Sequence, residues 1–424
     1  MSAALAAARE LLSHPGDLRR LVLSISYFAL LLASYYMIRP LRDAFGAGSG
    51  ATTIKYLATA VFVVMLAIVP LFGWLVGRIS RARLLPLIYG FFALNLVAFG
   101  VVFGSDPEAR WVGRLFYVWA TVFNLFVVSV FWSFMAEIWR EREGRWLFGV
   151  IAAGGSLGGL AGPLLTRAFV GSVGTAGVAF IAAALLGGTV LCIVLLGRDA
   201  EVRVAADSGP APPSIDEPVG GAILAGLSRL LASPFLLGIA ALVALGSLLG
   251  MVVYIEMARV AATDYATAAA RTGFFAQRDL WVNGASLALQ LIVGVLTGAF
   301  GVRATLTGSA AAVALAFVAL AALPIAGMLV VVNVVLRALE FGVGKPSRDM
   351  LYTVVDAETK YKVKNVIDTV VYRGTDMASS WIHDGLVAIG ATLAGLAATS
   401  AVIAAGLAAI AWGVGSGYRR RGGS

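Results

Sequence analysis

The chain has 424 residues, of which 60% are hydrophobic and 13% charged, with a mean hydropathy of +0.90. A soluble protein carries about a quarter charged residues, so the soluble classes are excluded. Apolar runs longer than about 18 residues recur along the whole sequence, which predicts transmembrane helices and not the short alternating strands of a β-barrel.

Arg19 and Arg20 precede a full-length apolar run with no convincing cleavage site, so the N-terminal stretch reads as a first span and not as a signal peptide. Twelve spans are predicted, at 22–45, 54–77, 84–104, 111–136, 146–170, 173–197, 233–257, 278–300, 304–323, 325–343, 365–390 and 394–413. An even number places both termini on one side. Lys and Arg then number 21 on that side and 9 on the other, which predicts cytoplasmic termini in an inner membrane. Topology thereby accounts for most of the net charge of +9, and no nucleic-acid partner is expected. The sole cysteine, Cys192, lies in an apolar run and excludes an intrachain disulfide. The Pro- and Ala-rich stretch around 200–222 reads as a cytoplasmic linker. It separates an N-terminal six-helix half (1–199) from a C-terminal one (223–424), the organisation of a major facilitator transporter.

The first span ends in Tyr35, Tyr36, Arg39, Arg42 and Asp43, which share a face at i, i+3, i+4 spacing. Two readings stand: arginines snorkelling to the interface, or a cavity-facing cluster. They lie on the less basic side, which favours the cluster, and Lys55 is expected near the same end. Glu137 closes the fourth span and Glu256 the seventh; a carboxylate at that depth faces a partner or water, so each is read as paired with Arg39 or Arg42 or with a cationic coupling species, against the alternative of an exposed helix-end carboxylate. The halves echo each other: Arg42 aligns with Arg259, Arg39 with Glu256, and Tyr254 falls beside them. In the fifth span, Gly154, Gly155, Gly158, Gly159 and Gly162 predict close helix packing. In the tenth, Arg337 and Glu340 are spaced to pair. FGVGKPS at 341–347 lacks the upstream glycine of a phosphate-binding loop, because position 339 is leucine. In the eleventh span, Thr369, Tyr372, Arg373, Asp376, Ser380 and His383 form one polar stripe, within about 60° of Asp376 at roughly 100° per residue. The stripe predicts an aqueous path or a polar bundle core; pairing of Arg373 with Asp376 and proton carriage by Asp376 or His383 are its two chemical readings.

These motifs together resemble the ATP:ADP antiporter family of nucleotide translocases, a branch of the major facilitator superfamily, and its bacterial side branch in particular. MIRPLRD (37–43) is similar to the family's I-L-R-D-T-K-D, FWSFMAEI (131–138) to its F-W-G-F-A-N-E-I, and YIEMAR (254–259) to the segment with a second carboxylate. The resemblance implies roles in transport for Arg42, Glu137 and Glu256. Where the family carries a lysine in G-K-S-G-G, this chain has Gly374-Thr375-Asp376-Met377-Ala378.

The expectation is an all-α integral membrane protein of twelve transmembrane helices with the major facilitator fold, a monomeric secondary transporter and not an enzyme, with no cofactor or metal. Its solute would be a small organic anion such as a nucleotide, held by Arg39, Arg42, Lys55 and Arg373, by Glu137, Glu256 and Asp376, and by Tyr35, Tyr36, Tyr254 and Tyr372. Arginine suits bidentate binding of phosphate or carboxylate, and tyrosine faces suit a ring. Proton-coupled carriage of a non-nucleotide solute is the alternative, and a non-transporting membrane sensor or scaffold is a lesser one.

Overall fold

The computed structural model describes residues 17–76, 81–139, 141–206 and 222–422, and every described element is helical. The chain opens with α1 (Asp17–Gly48), α2 (Ile54–Val76), α3 (Arg81–Ser105) and α4 (Arg110–Ile138). The stretch Glu141–Ala206 is interrupted at Gly174 (φ 66°, ψ −173°) and is therefore two rods, α5 (141–173) and α6 (175–206). That φ lies where only glycine is unstrained, so one residue turns the chain without a loop. A short α7 (Ala222–Ala232) precedes α8 (Pro234–Asp264). Gly301 (φ 75°) breaks Ala268–Ala322 in the same way, into α9 (268–300) and α10 (302–322).

The next two rods each contain a π-helical turn. α11 (Ala326–Leu339) passes through Glu340–Gly344 into α12 (Lys345–Leu351). α13 (Ala357–Val366) passes through Ile367–Val371 into α14 (Tyr372–Ala388), and α15 (Leu393–Arg420) follows. Counting each π-joined pair once, the described residues form twelve rods besides α7, one for each expected span. Eight helical stretches, two of them double rods, are long and apolar enough to cross a membrane. The chain is a multi-pass membrane protein. The FGVGKPS segment is helical throughout, so no strand–loop–helix cradle exists there. Residues 207–221 of the expected linker lie outside the described residues.

The rods gather into two compact units. One draws its described residues from Met1–Phe45, Leu75–Glu217 and Thr267–Gln277, the other from Gly46–Trp74, Pro218–Ala266 and Arg278–Ser424. α2 thus packs in the second unit, and the first turns of α9 pack in the first.

In the first unit, α5 presses its glycines onto the backbone of α1. A Cβ on Gly158 would strike the Ala29 carbonyl oxygen, and one on Gly162 would stand 2.6 Å from the Ala33 carbonyl oxygen and 2.7 Å from Tyr36 Cβ. With little hydrophobic drive between helices in lipid, such close approach supplies the dispersion contacts that hold them. Phe45 of α1 stacks on Phe103 and Phe103 on Phe99 of α3; Phe99 meets Phe116 edge to face, and Phe116, Trp119 and Phe123 stack along α4. α9 begins ten residues before the expected span, because its polar first turns are satisfied inside this unit: Glu108 accepts the Ala268 amide and a 2.5 Å bond from Arg271. In the second unit, α8, α13 and α15 bury Phe235, Ile239, Val363, Ile367, Val414 and Tyr418.

Asp356 caps α13 by accepting the Thr359 amide at 2.9 Å. This bond, with the Thr359 side chain, holds the Asp356 carboxyl below the usual carboxylate range. A lowered folded value means that the stabilisation is present above the ordinary carboxylate pKa of about 4 and is lost as pH falls below it. Faster hydrogen exchange at the Thr359 amide is expected in Asp356→Ala at neutral pH, and in the parent chain only under acid.

Replacing Gly158 by valine is expected to force α1 and α5 apart. Overpacking of this kind costs about 1–3 kcal/mol or more, which would lower the melting temperature and the yield of monodisperse protein. Gly171→Ala, on the same helix with open space where its Cβ would stand, should leave both unchanged.

Candidate functional site

Charged side chains inside the second unit converge on α14. Two polar rungs tie it to α8. Ser247 donates to Asp376 at 2.5 Å, and His383 meets Glu256 at 2.7 Å between Nε2 and Oε1. The partner numbers rise together on both helices, so α8 and α14 run parallel, with about two helical turns between rungs. Glu256 and His383 are 4% and 2% exposed. Arg259, one turn along α8, reaches the same Glu256 oxygen at 3.4 Å, and its side chain is 41% exposed.

α2 adds a third connection. Lys55 Nζ lies 2.5 Å from Asp384 and sits over the rings of Trp381 (4.6 Å) and Tyr56 (5.1 Å). Trp381 Nε1 donates to Thr59 at 3.0 Å, which fixes the indole against α2. Acid and ring together satisfy the ammonium group, as a cation in a membrane-spanning segment requires. Near the start of α14, Arg373 meets Asp376 at 3.3 Å and lies over the Tyr372 ring, while Arg337 and Glu340 pair at 3.2 Å. Gly250 on α8 leaves the space that the Arg337 guanidinium fills; a Cβ there would stand 3.1 Å from Nη2.

The first unit holds the other predicted cluster. Arg42 Nε and Nη2 both donate to Asp43 Oδ1, at 2.9 and 2.7 Å, and the guanidinium lies over the Tyr117 ring. Arg42 and Asp43 side chains are 15% and 1% exposed, so the pair packs inside this unit and does not snorkel. Arg39 sits over Tyr36, which meets Tyr35 edge to face, and Tyr35 faces Phe123. Glu137 belongs to α4, but its side chain lies outside the described residues.

Two expectations change. Glu256 is held by His383 and Arg259, and Arg42 by Asp43. Asp43 is adjacent to Arg42 and Arg259 is one turn from Glu256, so these partners need no further ordering of the chain, and the packing of α8 against α14 adds His383; the expected pairing of Glu256 with Arg39 or Arg42 does not form. Lys55 opens α2 and pairs with Asp384, both within the second unit. The polar stripe is interrupted at Thr369, which lies in the π-helical turn, where the advance per residue is smaller than in an α-helix; its hydroxyl bonds Asn365. Predicted Tyr254 is buried on α8 in the second unit. Asp384, Trp381, Ser247 and Tyr117 escape the sequence reading. Asp384 follows His383 at the margin of the stripe, and its lysine partner is 329 residues away, a pairing no local pattern encodes.

Neither a protein-family model nor a curated protein sequence matches the chain. Solved structures do match its fold over nearly the whole length. The POT family transporter PepTSo is 11% identical, with a TM-score of 0.65 over 95% of this chain and 98% of that one. A mutant of the nucleoside transporter NupG is 14% identical, with a TM-score of 0.60 over 95% and 99%. A D-xylose-proton symporter is 15% identical, with a TM-score of 0.59 over 92% and 97%. The chain has the all-α major facilitator fold.

The Lys55–Asp384 pair is half-buried within its unit, and breaking it on one side leaves a charge without its partner, whereas removing both charges does not. Lys55→Met and Asp384→Asn are each expected to lower the melting temperature in detergent, and the double variant to exceed either single one. Additive losses would show that the two side chains are not coupled.

Proposed function

We propose that this chain is a secondary transporter that carries a small organic anion across the inner membrane by alternating access, as a monomer with cytoplasmic termini. Its halves would be residues 1–199 and 223–424, joined by a linker at 200–222. The observation that carries this reading is the set of charges on α14 and its partners α2 and α8, inside membrane-spanning helices where each costs about 2.5–3.5 kcal/mol without compensation. Proteins of this fold include a POT family transporter, a nucleoside transporter and a D-xylose-proton symporter.

The pairs suggest how an anion would be handled. Lys55 and Arg373 carry internal carboxylates, Asp384 and Asp376. An incoming phosphate or carboxylate would take the place of these acids on their cations, so each cation stays neutralised with and without solute. Trp381, Tyr56 and Tyr372 beside the cations, and Tyr35, Tyr36 and Tyr117 beside Arg39 and Arg42, offer faces for a ring. A nucleotide combines both features, and ATP/ADP-type exchange is the solute and mode that the sequence resemblance implies. Glu137 and Glu256 complete the set of transport carboxylates in that resemblance.

Purified protein in proteoliposomes loaded with ADP is expected to take up labelled ATP or another organic anion saturably, with uptake cut about ten-fold or more in Arg42→Ala. Uptake of neutral solutes alone, or anion uptake untouched by Arg42→Ala, would overturn the anion reading.

A further inference from the structure

The Glu256–His383 pair is a buried acid–base couple that anion binding does not itself require. We propose that Glu256 and His383 form the proton-carrying pair of the transport cycle, and that Arg259 hands Glu256 over to that proton when an anion engages the guanidinium. This inference rests on the transport reading above for its anion, though not for its proton.

The geometry gives each residue a part. An ionised Glu256 only accepts hydrogen bonds, so His383 presents its Nε2–H to Oε1. The same oxygen receives Arg259 at 3.4 Å, so one carboxylate serves two bases. Arg259 is the exposed member and His383 the buried one, so a solute reaches the arginine first. While Arg259 stays on Glu256, its charge balances the carboxylate. When an anion draws Arg259 away, the carboxylate is left buried without a countercharge. A proton taken up at Nδ1 of His383 restores balance as an imidazolium–carboxylate pair, and leaves again when Arg259 returns. One proton therefore accompanies each anionic group, and by linkage the proton strengthens anion binding as much as the anion strengthens proton binding.

Competing charges on the surrounding elements are already engaged. On α14, Asp376 has Ser247 and Arg373, and Asp384 has Lys55 of α2. On the rod of α11, Arg337 has Glu340. α15 carries no charge before its last turn, at Arg419 and Arg420. Asp368 lies in the π-helical turn, fifteen residues before His383 along the same rod. Arg259 is thus the cation whose departure changes the charge on the pair.

The chain has only two histidines, His14 and His383, so ¹⁵N-histidine protein with His14→Gln reports His383 alone. In nanodiscs at pH 6, Glu256→Gln is expected to lower the charged fraction of the ring, its charged-to-neutral ratio falling about ten-fold, the equivalent of one pH unit. Arg259→Gln, a change at an exposed side chain, is expected to raise that fraction. Two shifts of opposite sign separate a charge relationship from loosened structure. Spectra unchanged between pH 5 and 9 in both variants, or shifted the same way in both, would overturn the proposal. Neither measurement needs a solute, so the result stands apart from the uptake test. Should the protein take up ATP, saturating ATP should mimic Arg259→Gln, and a ring that ignores ATP would refute the hand-off.

Discussion

A charge inside a membrane-spanning helix has to be neutralised within reach of its own side chain, and this constraint organises the interior of the protein. Removing one partner of such a pair is far costlier than never having placed the pair there. The described ion pairs in the spans follow two forms. Some are local, at adjacent or one-turn spacing: Arg42–Asp43, Arg373–Asp376, Arg337–Glu340 and Arg259–Glu256. Others join separate helices: Lys55–Asp384 and Glu256–His383. Local pairs hold a charge ready at little conformational cost, because both ends ride on one helix. The inter-helix pairs add register, and both converge on α14.

The scaffold supports this arrangement by different means in the two units. The first depends on approach of backbones, with α5 glycines set against α1 and an aromatic stack behind the arginine-bearing end of α1. The second depends on polar rungs between parallel helices and on the π-helical turns that precede α12 and α14. A π-helical turn widens the helix by one residue and frequently marks a functional position. Here one lies directly before Tyr372 and Arg373, so it sets which face of α14 those side chains take.

Much of this is legible in the sequence, for reasons that are themselves physical. Hydrophobic runs give the spans because the bilayer fixes their length, and the glycine run in α5 gives close packing because only small residues allow it. Pairing at i, i+3 is legible for Arg337–Glu340 and Arg373–Asp376 because helical spacing brings those residues together. The limits are equally specific. Helical periodicity does not carry across a π-helical turn, so Thr369 falls off the face that its spacing predicts. The early start of α9 is hidden because its polar residues are satisfied by Glu108, 160 positions away at Ala268. Lys55–Asp384 and Glu256–His383 depend on tertiary packing that a single sequence does not record.

The central claim is that the paired, buried face of α14 opens to water during a transport cycle. Cys192 is the sole cysteine, so Cys192→Ser provides a blank background for single cysteines at Ser380, which is 1% exposed, and Ile382, which is 56% exposed on the apolar side. The account predicts that a membrane-impermeant thiol reagent labels the cysteine at position 380 in intact membranes, at a rate that changes on adding the proposed anionic solute, and spares the lipid-covered one at 382. A cysteine at 380 that stays inert under every condition, while the one at 382 reacts, would contradict it.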